Sequence, residues 1–358
     1  MKPKNSRSNR TTRNSYSLSA KEIKEFPLSV AHCLEDILED EYPTLPSSPS
    51  TPNFSQFSTL CKSKSGSKRT QKLIAKSRPE EIQQIIQSLG TKITSLMKDM
   101  YGNYMCQTLF QSCSSEQRVF LLQSIKKHLY EIARNQKGTH SLQTLISLSS
   151  LPEEEAIYFE VFRGKILELA LHSNGSHVVQ RLLLALKNKD FVLEELKGHI
   201  KMLSMNKYGL SVVKKCITEK MTLKELMKDP LILMQDPYGN YAMQLTVDYW
   251  QSACTESMVH HLRTKVAQLS IQKYASNVIE KCLKEPQMRS MILGELIKEE
   301  KLSLLLNSTY GCYVLRTAAQ EVDESYKSTL KQEIVKSSPS ILAKKVNSKW
   351  EDILKNLN

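Results

Sequence analysis

The chain has 358 residues and a mass of 40.9 kDa, and its 50 Lys and Arg against 37 Asp and Glu give a formal net charge of +13. Hydrophobic residues make up 40% of the chain and only 11 positions are glycine, which excludes a collagen-like or fully disordered protein. No apolar run approaches the roughly 18 residues of a membrane span, and the excess positive charge favours a polyanionic partner, most simply a nucleic acid.

Residues 1–53 differ in composition from the rest and are predicted to be a disordered arm. The first 60 residues hold six of the 12 prolines and 11 serines, and their seven basic and seven acidic residues cancel. Such a composition buries too little apolar surface to offset the cost of ordering. Within the arm, residues 28–41 have apolar side chains at helical spacing among acids, which predicts a short helix that either docks on a partner or has no role. No apolar core follows the basic N-terminus, so a secretory signal is not expected.

From residue 65 onward, one seven-residue pattern recurs. It consists of an aromatic or polar residue, a glycine, two variable residues, two mostly apolar residues and a polar residue. Its eight copies are residues 65–71, 101–107, 137–143, 174–180, 208–214, 238–244, 274–280 and 310–316. Their second residues are 36, 36, 37, 34, 30, 36 and 36 positions apart, and seven of the 11 glycines stand there. Chance does not produce eight copies at nearly even spacing, so the sequence predicts a repeat protein.

Each repeat is predicted to be helical. The pattern continues into an apolar run such as residues 178–186, and a polar turn then leads to a second amphipathic helix such as residues 190–203. The glycine is interpreted as a small residue where the backbone bends or a neighbour approaches closely. A unit this short cannot bury its own apolar face, but stacked units bury it jointly, as in an α-solenoid. Residues 54–358 are therefore predicted to be one domain, with repeats at about 65–321 and a helical C-terminal cap at 322–358.

The third, fourth and seventh residues of each copy are predicted to share an exposed helix face. Positions i and i+4 lie one turn apart, and i+1 flanks them. The fifth and sixth residues are mostly apolar and are predicted to point into the core. The triplets, in chain order, are Ser67/Lys68/Gln71, Asn103/Tyr104/Gln107, Thr139/His140/Gln143, Ser176/His177/Gln180, Leu210/Ser211/Lys214, Asn240/Tyr241/Gln244, Ser276/Asn277/Glu280 and Cys312/Tyr313/Arg316.

These triplets strongly resemble the base-reading side chains of the Pumilio/FBF (PUF) repeat family, over about residues 60–358 and all eight repeats. The resemblance implies an all-α fold: a right-handed, armadillo-like α-solenoid in which eight three-helix repeats form a crescent. It also implies that single-stranded RNA lies along the concave face, antiparallel to the protein, with about one base per repeat. The chemistry agrees, because a glutamine amide both donates and accepts, whereas the Glu280 carboxylate only accepts and suits the two N–H donors of guanine. Stacked aromatic rings contribute about 1–3 kcal/mol per base, and Lys and Arg attract phosphates.

Carried over position by position, the family code predicts the RNA element 5′-NGUNNNUA-3′. Ser276/Asn277/Glu280 matches the guanine reader, and Asn240/Tyr241/Gln244 and Asn103/Tyr104/Gln107 match uracil readers. Ser67 with Gln71 matches an adenine reader. Ser176 with Gln180 leans to adenine, although the family's asparagine at that point gives uracil, and Thr139 with Gln143 is ambiguous. His140 and His177 are interpreted as stacking residues.

Two repeats depart from the family pattern. Leu210/Ser211/Lys214 has an apolar residue where a donor belongs and a serine that stacks poorly. Cys312/Tyr313/Arg316 keeps the stacking residue but replaces glutamine with an arginine that only donates. The bases that face these two repeats are expected to be skipped, flipped out or read differently.

No sequence motif indicates any other chemistry. The eight cysteines are scattered without a C-x-x-C pair or histidines at zinc spacing, so no metal site is predicted and the thiols are expected to stay reduced. No nucleophile elbow, metalloprotease helix or phosphate loop occurs, so neither an enzyme activity nor a cofactor is predicted. Two alternatives remain: a protein-binding α-solenoid of the HEAT or armadillo kind, which lacks the periodic polar triplet, and a divergent nucleolar PUF relative that binds ribosomal RNA in ribosome biogenesis.

The resemblance also implies a biological role. It implies a cytoplasmic protein, rather than a nuclear or nucleolar one, that binds 3′ untranslated regions of messenger RNA and represses or destabilises the message. The implied partners are single-stranded RNA and corepressors such as deadenylase subunits, recruited through the convex face or the N-terminal arm. The protein is expected to be a monomer that binds no membrane.

Overall fold

In a computed structural model of the chain, residues 54–337 are described, and they lie within one compact unit, Asn53–Asn358. The predicted arm at 1–53, with its helix at 28–41, and residues 338–358 of the predicted cap lie outside the described residues. No strand occurs between residues 54 and 337, and none of the helices there is long and apolar enough to cross a membrane.

The described α-helices follow a threefold order that repeats eight times: a short leading helix, a motif helix that carries the seven-residue pattern, and a trailing helix. The leading helices are Phe57–Leu60, Lys92–Met97, Leu129–Arg134, Ile166–Leu171, Ile200–Ser204, Pro230–Gln235, Val266–Ser270 and Glu299–Leu306. The motif helices are Lys64–Ile74, Gly102–Ser112, Gly138–Ser147, Gly175–Ala185, Gly209–Val213, Gly239–Trp250, Ala275–Lys284 and Thr309–Glu321. The trailing helices are Pro79–Leu89, Ser115–Ile125, Pro152–Phe162, Asp190–Leu196, Lys220–Leu226, Ser252–Leu262, Pro286–Leu296 and Glu324–Ser337. Short 3-10 helices at Phe54–Gln56 and Lys126–His128 complete the described elements.

The repeats stack on their sequence neighbours. Each motif helix contacts the motif helices of the preceding and following repeats, from the first repeat to the eighth. The buried apolar side chains form one continuous cluster that runs from Phe57 to Ile334. A core that is built jointly by neighbouring units in this way is that of an α-solenoid, so the predicted all-α solenoid is confirmed.

The stretch at residues 190–203 is two helices, whereas one was predicted. The trailing helix ends at Leu196, the next leading helix begins at Ile200, and Gly198 between them has φ of 85°. Left-handed backbone ends an α-helix, and glycine adopts it without the steric cost that a Cβ brings. The same junction has a positive φ at Gly90, Gly164 and Thr264, so the break recurs along the array.

The motif glycines are required by close approach, which was one of the two predicted reasons for them. None of the seven has a positive φ. In all seven, a Cβ would lie within 2.9 Å of the carbonyl oxygen six residues earlier, in the leading helix. For Gly311 the distance to the carbonyl oxygen of Leu305 would be 2.4 Å. The leading helix thus packs directly against the start of the motif helix.

A side chain three residues before the glycine caps the motif helix, and sequence analysis missed it. Asp99 Oδ1 accepts from the backbone N–H groups of Tyr101 at 2.9 Å and Gly102 at 2.8 Å. Equivalent acceptors stand at the same position in six other repeats: Ser63, Asn135, His172, Asn206, Asp236 and Ser308. These side chains satisfy N–H groups that the first turn leaves unpaired, as helix caps do. They therefore hold seven of the eight described motif helices at a fixed start.

Candidate nucleic-acid interface

The third motif position is buried, so the prediction that all three triplet positions share an exposed face is wrong there. The third-position side chains range from 1% exposed at Asn240 to 8% at Cys312; the others are Ser67, Asn103, Thr139, Ser176, Leu210 and Ser276. The neighbouring repeat causes part of this burial, because Ser67 Oγ donates to the carbonyl oxygen of Tyr101 at 2.8 Å. Thr139 Oγ1 donates in the same way to the carbonyl oxygen of Asn174 at 3.3 Å.

The fourth and seventh positions are accessible, as predicted. At the fourth position Lys68, Tyr104, His140, His177, Tyr241 and Asn277 are exposed, and Ser211 and Tyr313 are half-buried. At the seventh position Gln71, Gln107, Gln143, Gln180, Gln244 and Glu280 are half-buried, and Lys214 and Arg316 are exposed. The fifth and sixth positions are buried throughout except at Arg69, which confirms their prediction as core residues.

The buried third residue orients the seventh residue of its own repeat. Gln107 Nε2 donates to Asn103 Oδ1 at 3.1 Å, and Gln71 Nε2 donates to Ser67 Oγ at 3.0 Å. Gln143 Nε2 donates to Thr139 Oγ1 at 3.2 Å. Each of these three glutamine amides is therefore held through its nitrogen, and its carbonyl oxygen keeps at least one lone pair to meet a ligand.

The two predicted uracil readers have the same geometry. Gln244 Nε2 donates to Asn240 Oδ1 at 3.0 Å, which matches the corresponding bond in the second repeat. The Asn240 amide in turn donates to the carbonyl oxygens of Asp236 and Pro237, both at 2.9 Å. Asn103 makes the equivalent pair of bonds to Asp99 and Met100. Identical triplets therefore make the same hydrogen bonds within their own repeats, one on each side of the fifth repeat.

Charge and ring contacts flank the triplets. The Nζ atom of Lys207 lies 5.7 Å from the ring centroid of Tyr208, and that of Lys273 lies 5.2 Å from the ring centroid of Tyr274. The pKa of His140 is lowered, first by burial and then by the charges of Lys137 and His177. This direction favours the uncharged ring, a form that stacks on a base without the desolvation cost of a cation.

The fifth repeat departs from the others in structure as well as in sequence. Its motif helix, Gly209–Val213, has five residues, whereas the other seven have between 10 and 13. Leu210 is buried at the third position and has no polar side-chain atom to hold a partner. Lys214 lies just past the end of the helix. The predicted site residues of this repeat therefore lie on, or just after, a shorter helix than those of the other repeats.

The eighth repeat contributes a residue that sequence analysis missed. The Oγ1 atom of Thr317, one position beyond the triplet, donates to Glu280 Oε2 of the seventh repeat at 2.8 Å. At the corresponding position of the third repeat, Thr144 Oγ1 donates to Gln107 Oε1 at 3.2 Å. The signal in the sequence was the threonine that directly follows the seven-residue pattern in these two repeats.

The cysteines within the described residues are buried free thiols: Cys61, Cys106, Cys113, Cys216, Cys254, Cys282 and Cys312. Burial raises the pKa of Cys61 to about 11 and that of Cys113 to about 12. Between residues 54 and 337, no group of three His, Cys, Asp or Glu side chains is placed to hold a metal ion. Apart from Cys312, which holds the third motif position of the eighth repeat, these thiols therefore belong to the core and not to the candidate interface.

Comparisons with known proteins cover most of the described residues. A profile for the Pumilio-family RNA-binding repeat matches residues 56–89, 92–126, 231–262 and 265–297. A profile for the NOP9-like PUF repeat domain matches residues 123–234. Together they span the first seven repeats and end before the eighth, whose leading helix begins at Glu299.

Two curated relatives indicate the extent of the similarity. A Pumilio domain-containing protein of Schizosaccharomyces pombe is 29% identical over 297 residues, which is 80% of this chain and 44% of that protein. Pumilio homolog 12 of Arabidopsis thaliana is 30% identical over 275 residues, 73% of this chain and 46% of that protein. The chain spans about half the length of the curated relatives that it matches.

Solved structures give the same result at the level of the fold. The RNA-binding domain of Puf4, bound to the recognition sequence of the HO endonuclease RNA 3′ UTR, superposes with a TM-score of 0.77 at 28% identity. That match covers 83% of this chain and 97% of the Puf4 chain. The RNA-binding domain of yeast Puf5p bound to SMX2 RNA has a TM-score of 0.70 at 21% identity and covers 84% and 95% of the two chains. At that identity the likeness concerns the fold alone.

Proposed function

Because the chain belongs to the Pumilio family of RNA-binding repeat proteins, we propose that it binds single-stranded RNA sequence-specifically through the triplets of its motif helices. The observation that carries this proposal is the row of seventh-position side chains. In six repeats this residue is a half-buried glutamine or glutamate, and the exposed fourth residue stands beside it. A held amide or carboxylate beside a ring or a flat side chain offers one edge contact and one stacking surface for each base.

The proposed RNA element is 5′-NGUNNNUA-3′. Glu280 reads guanine, Gln244 and Gln107 read the two uracils, and Gln71 reads the 3′ adenine. The bases that face Lys214 and Arg316 are left undefined, because neither side chain can accept a hydrogen bond. The short motif helix of the fifth repeat supports a relaxed reading at the centre of the element.

We place this element in 3′ untranslated regions of messenger RNA, with repression or decay of the message as the outcome in the cytoplasm. The support is the Puf4 domain at 28% identity, whose RNA is a 3′ UTR recognition sequence. Deadenylase subunits or similar corepressors are the proposed protein partners, and the chain acts as a monomeric binding protein without an enzyme activity of its own.

The direct test is selection of bound RNA from a random single-stranded pool. We expect the recovered sequences to share adjacent G and U, followed after three variable bases by U and A. A recovered motif without adjacent G and U would overturn the assignment of the sixth and seventh repeats. Recovery of cross-linked RNA from cells then reports whether the bound regions are 3′ untranslated.

A second candidate function is ribosomal RNA binding in ribosome biogenesis. One observation favours it: the NOP9-like profile matches residues 123–234, which include the ambiguous third and fourth repeats and the divergent fifth. A protein of this kind binds a G-U-containing single strand and its base-scrambled control equally well. A filter-binding comparison of these two RNAs therefore separates the candidates, and recovery of precursor ribosomal RNA from cells supports the second.

A further inference from the structure

Thr317 links the eighth repeat to the predicted guanine reader of the seventh. It directly follows the seven-residue pattern of the eighth repeat, is 6% exposed, and directs its hydroxyl across the boundary between the repeats. Its Oγ1 donates to Glu280 Oε2 at 2.8 Å, a normal length for a hydroxyl bond to a carboxylate. A half-buried carboxylate is thus held from outside its own helix.

Charged neighbours do not take this role in the described region. Lys281, next to Glu280 in sequence, pairs with Asp248 of the sixth repeat at 2.9 Å. The Arg316 guanidinium, next to Thr317, lies 5.4 Å from the ring centroid of Tyr313. The Thr317 hydroxyl is therefore an uncharged donor that orients the carboxylate without cancelling its charge.

We propose that Thr317 is a positioning residue for base recognition by Glu280, and this rests on the proposed function. An ionised carboxylate has about four lone-pair sites, and Thr317 occupies one of them. Both oxygens therefore keep a free lone pair for the two adjacent N–H donors of guanine. Glutamate loses considerable rotamer freedom when it is immobilised. The hydroxyl holds the carboxylate in place in the free protein. This entropy loss therefore occurs when the protein folds and not when it binds RNA.

The same position varies between the two uracil readers, which provides an internal comparison. In the second repeat, Gln107 receives the Thr144 hydroxyl at 3.2 Å, although that hydroxyl also donates to the carbonyl oxygen of His140. In the sixth repeat, the residue at the corresponding position of the following repeat is Lys281, which pairs with Asp248. The residue after the motif of one repeat thus holds the preceding reader at Gln107 and Glu280, whereas at Gln244 it pairs elsewhere. Where this contact exists, specificity depends on a fourth residue besides the triplet.

The test compares Thr317→Val, which keeps the shape but removes the donor, with Thr317→Ser, which keeps the donor. Dissociation constants are measured for RNAs with G or A opposite the seventh repeat, and with U or C opposite the sixth as a reference. We expect Thr317→Val to lower the G-over-A ratio by roughly 3- to 10-fold, from the cost of immobilising one side chain. Thr317→Ser should keep the ratio, and the U-over-C ratio should not change in either variant.

A double-mutant cycle shows whether Thr317 acts through Glu280. In a Glu280→Ala background, which has no side-chain acceptor for the Thr317 hydroxyl, Thr317→Val should no longer alter the G-over-A ratio. The proposal is overturned if Thr317→Val leaves that ratio unchanged, or if it weakens all four RNAs by one common factor. A wild-type protein without any preference for G would instead refute the guanine assignment itself, and this proposal with it.

Discussion

At the residue scale, the third motif position differs most from what its sequence pattern indicates. Asn103 and Asn240 lie on the same helix face as the readers, but each uses its amide on local carbonyl groups and its oxygen on the seventh-position glutamine. A buried amide must satisfy its hydrogen bonds, and these partners do so. The third residue therefore supports the reader at least as much as it faces a base.

Glu280→Gln tests the guanine reader itself. An amide presents one donor toward guanine where the carboxylate only accepts, so the preference for G over A should fall by about 1–3 kcal/mol, as for one bidentate base contact. Parallel binding measurements with G- and A-containing RNAs check this. Glu256→Gln, an exposed change of the same kind on a trailing helix, is the matched control. Equal losses in both variants would show a charge effect and not base reading.

At the element scale, the junction between the leading helix and the motif helix decides whether a repeat can form. The glycine allows the carbonyl oxygen of the leading helix to approach, and the capping side chain three residues earlier holds the first turn. The seventh repeat has Ala275 in place of the glycine and Gln272 at the cap position. One copy of the junction thus tolerates a Cβ, whereas the other seven have no room for it.

Gly311→Ala should destabilise the domain, whereas Gly294→Ala should stabilise it. A Cβ on Gly311 would lie 2.4 Å from a backbone oxygen, and relief of such overpacking costs about 1–3 kcal/mol. A Cβ on Gly294 has nothing within 4 Å and lies in the trailing helix Pro286–Leu296, where alanine is favoured by about 1 kcal/mol. Urea denaturation of the two variants checks both signs. A stable Gly311→Ala domain would contradict the close-approach explanation.

At the scale of the whole molecule, charge and base reading are divided between different side chains. The net charge of +13 belongs to residues 61–358, because the first 60 residues are neutral. Most readers are uncharged amides, with Glu280, Lys214 and Arg316 as the exceptions. Attraction to phosphates is therefore a property of the surface as a whole, and base choice is a property of individual repeats.

This division predicts how salt acts on binding. The logarithm of the affinity should fall linearly with the logarithm of salt concentration, by about 0.7 for each single-strand phosphate neutralised. The slope should be the same for a G-U-containing RNA and for its base-scrambled control, because both present the same phosphates. Titrations of both RNAs at several salt concentrations measure the two slopes. If the two RNAs bind with equal affinity at high salt, base reading by neutral side chains would be contradicted.

The sequence alone was sufficient to predict the solenoid and its eight repeats, whereas the RNA-binding role of the triplets stays a prediction. These follow from local patterns, because a repeated pattern of buried and exposed positions must be satisfied by repeated packing. The buried fifth and sixth positions and the accessible fourth and seventh positions were predictable for the same reason. The break at Gly198 was missed because an apolar pattern continues across it and only the backbone φ reveals the turn.

Only the tertiary structure decided the features that depend on contacts between repeats. Burial of Ser67 beneath the carbonyl oxygen of Tyr101 joins residues 34 positions apart, and the bond from Thr317 to Glu280 joins residues 37 apart. A sequence read one repeat at a time does not show which side chain of the next repeat faces a given reader. That depends on how far each helix is displaced when the repeats stack, and this displacement is set by packing throughout the core.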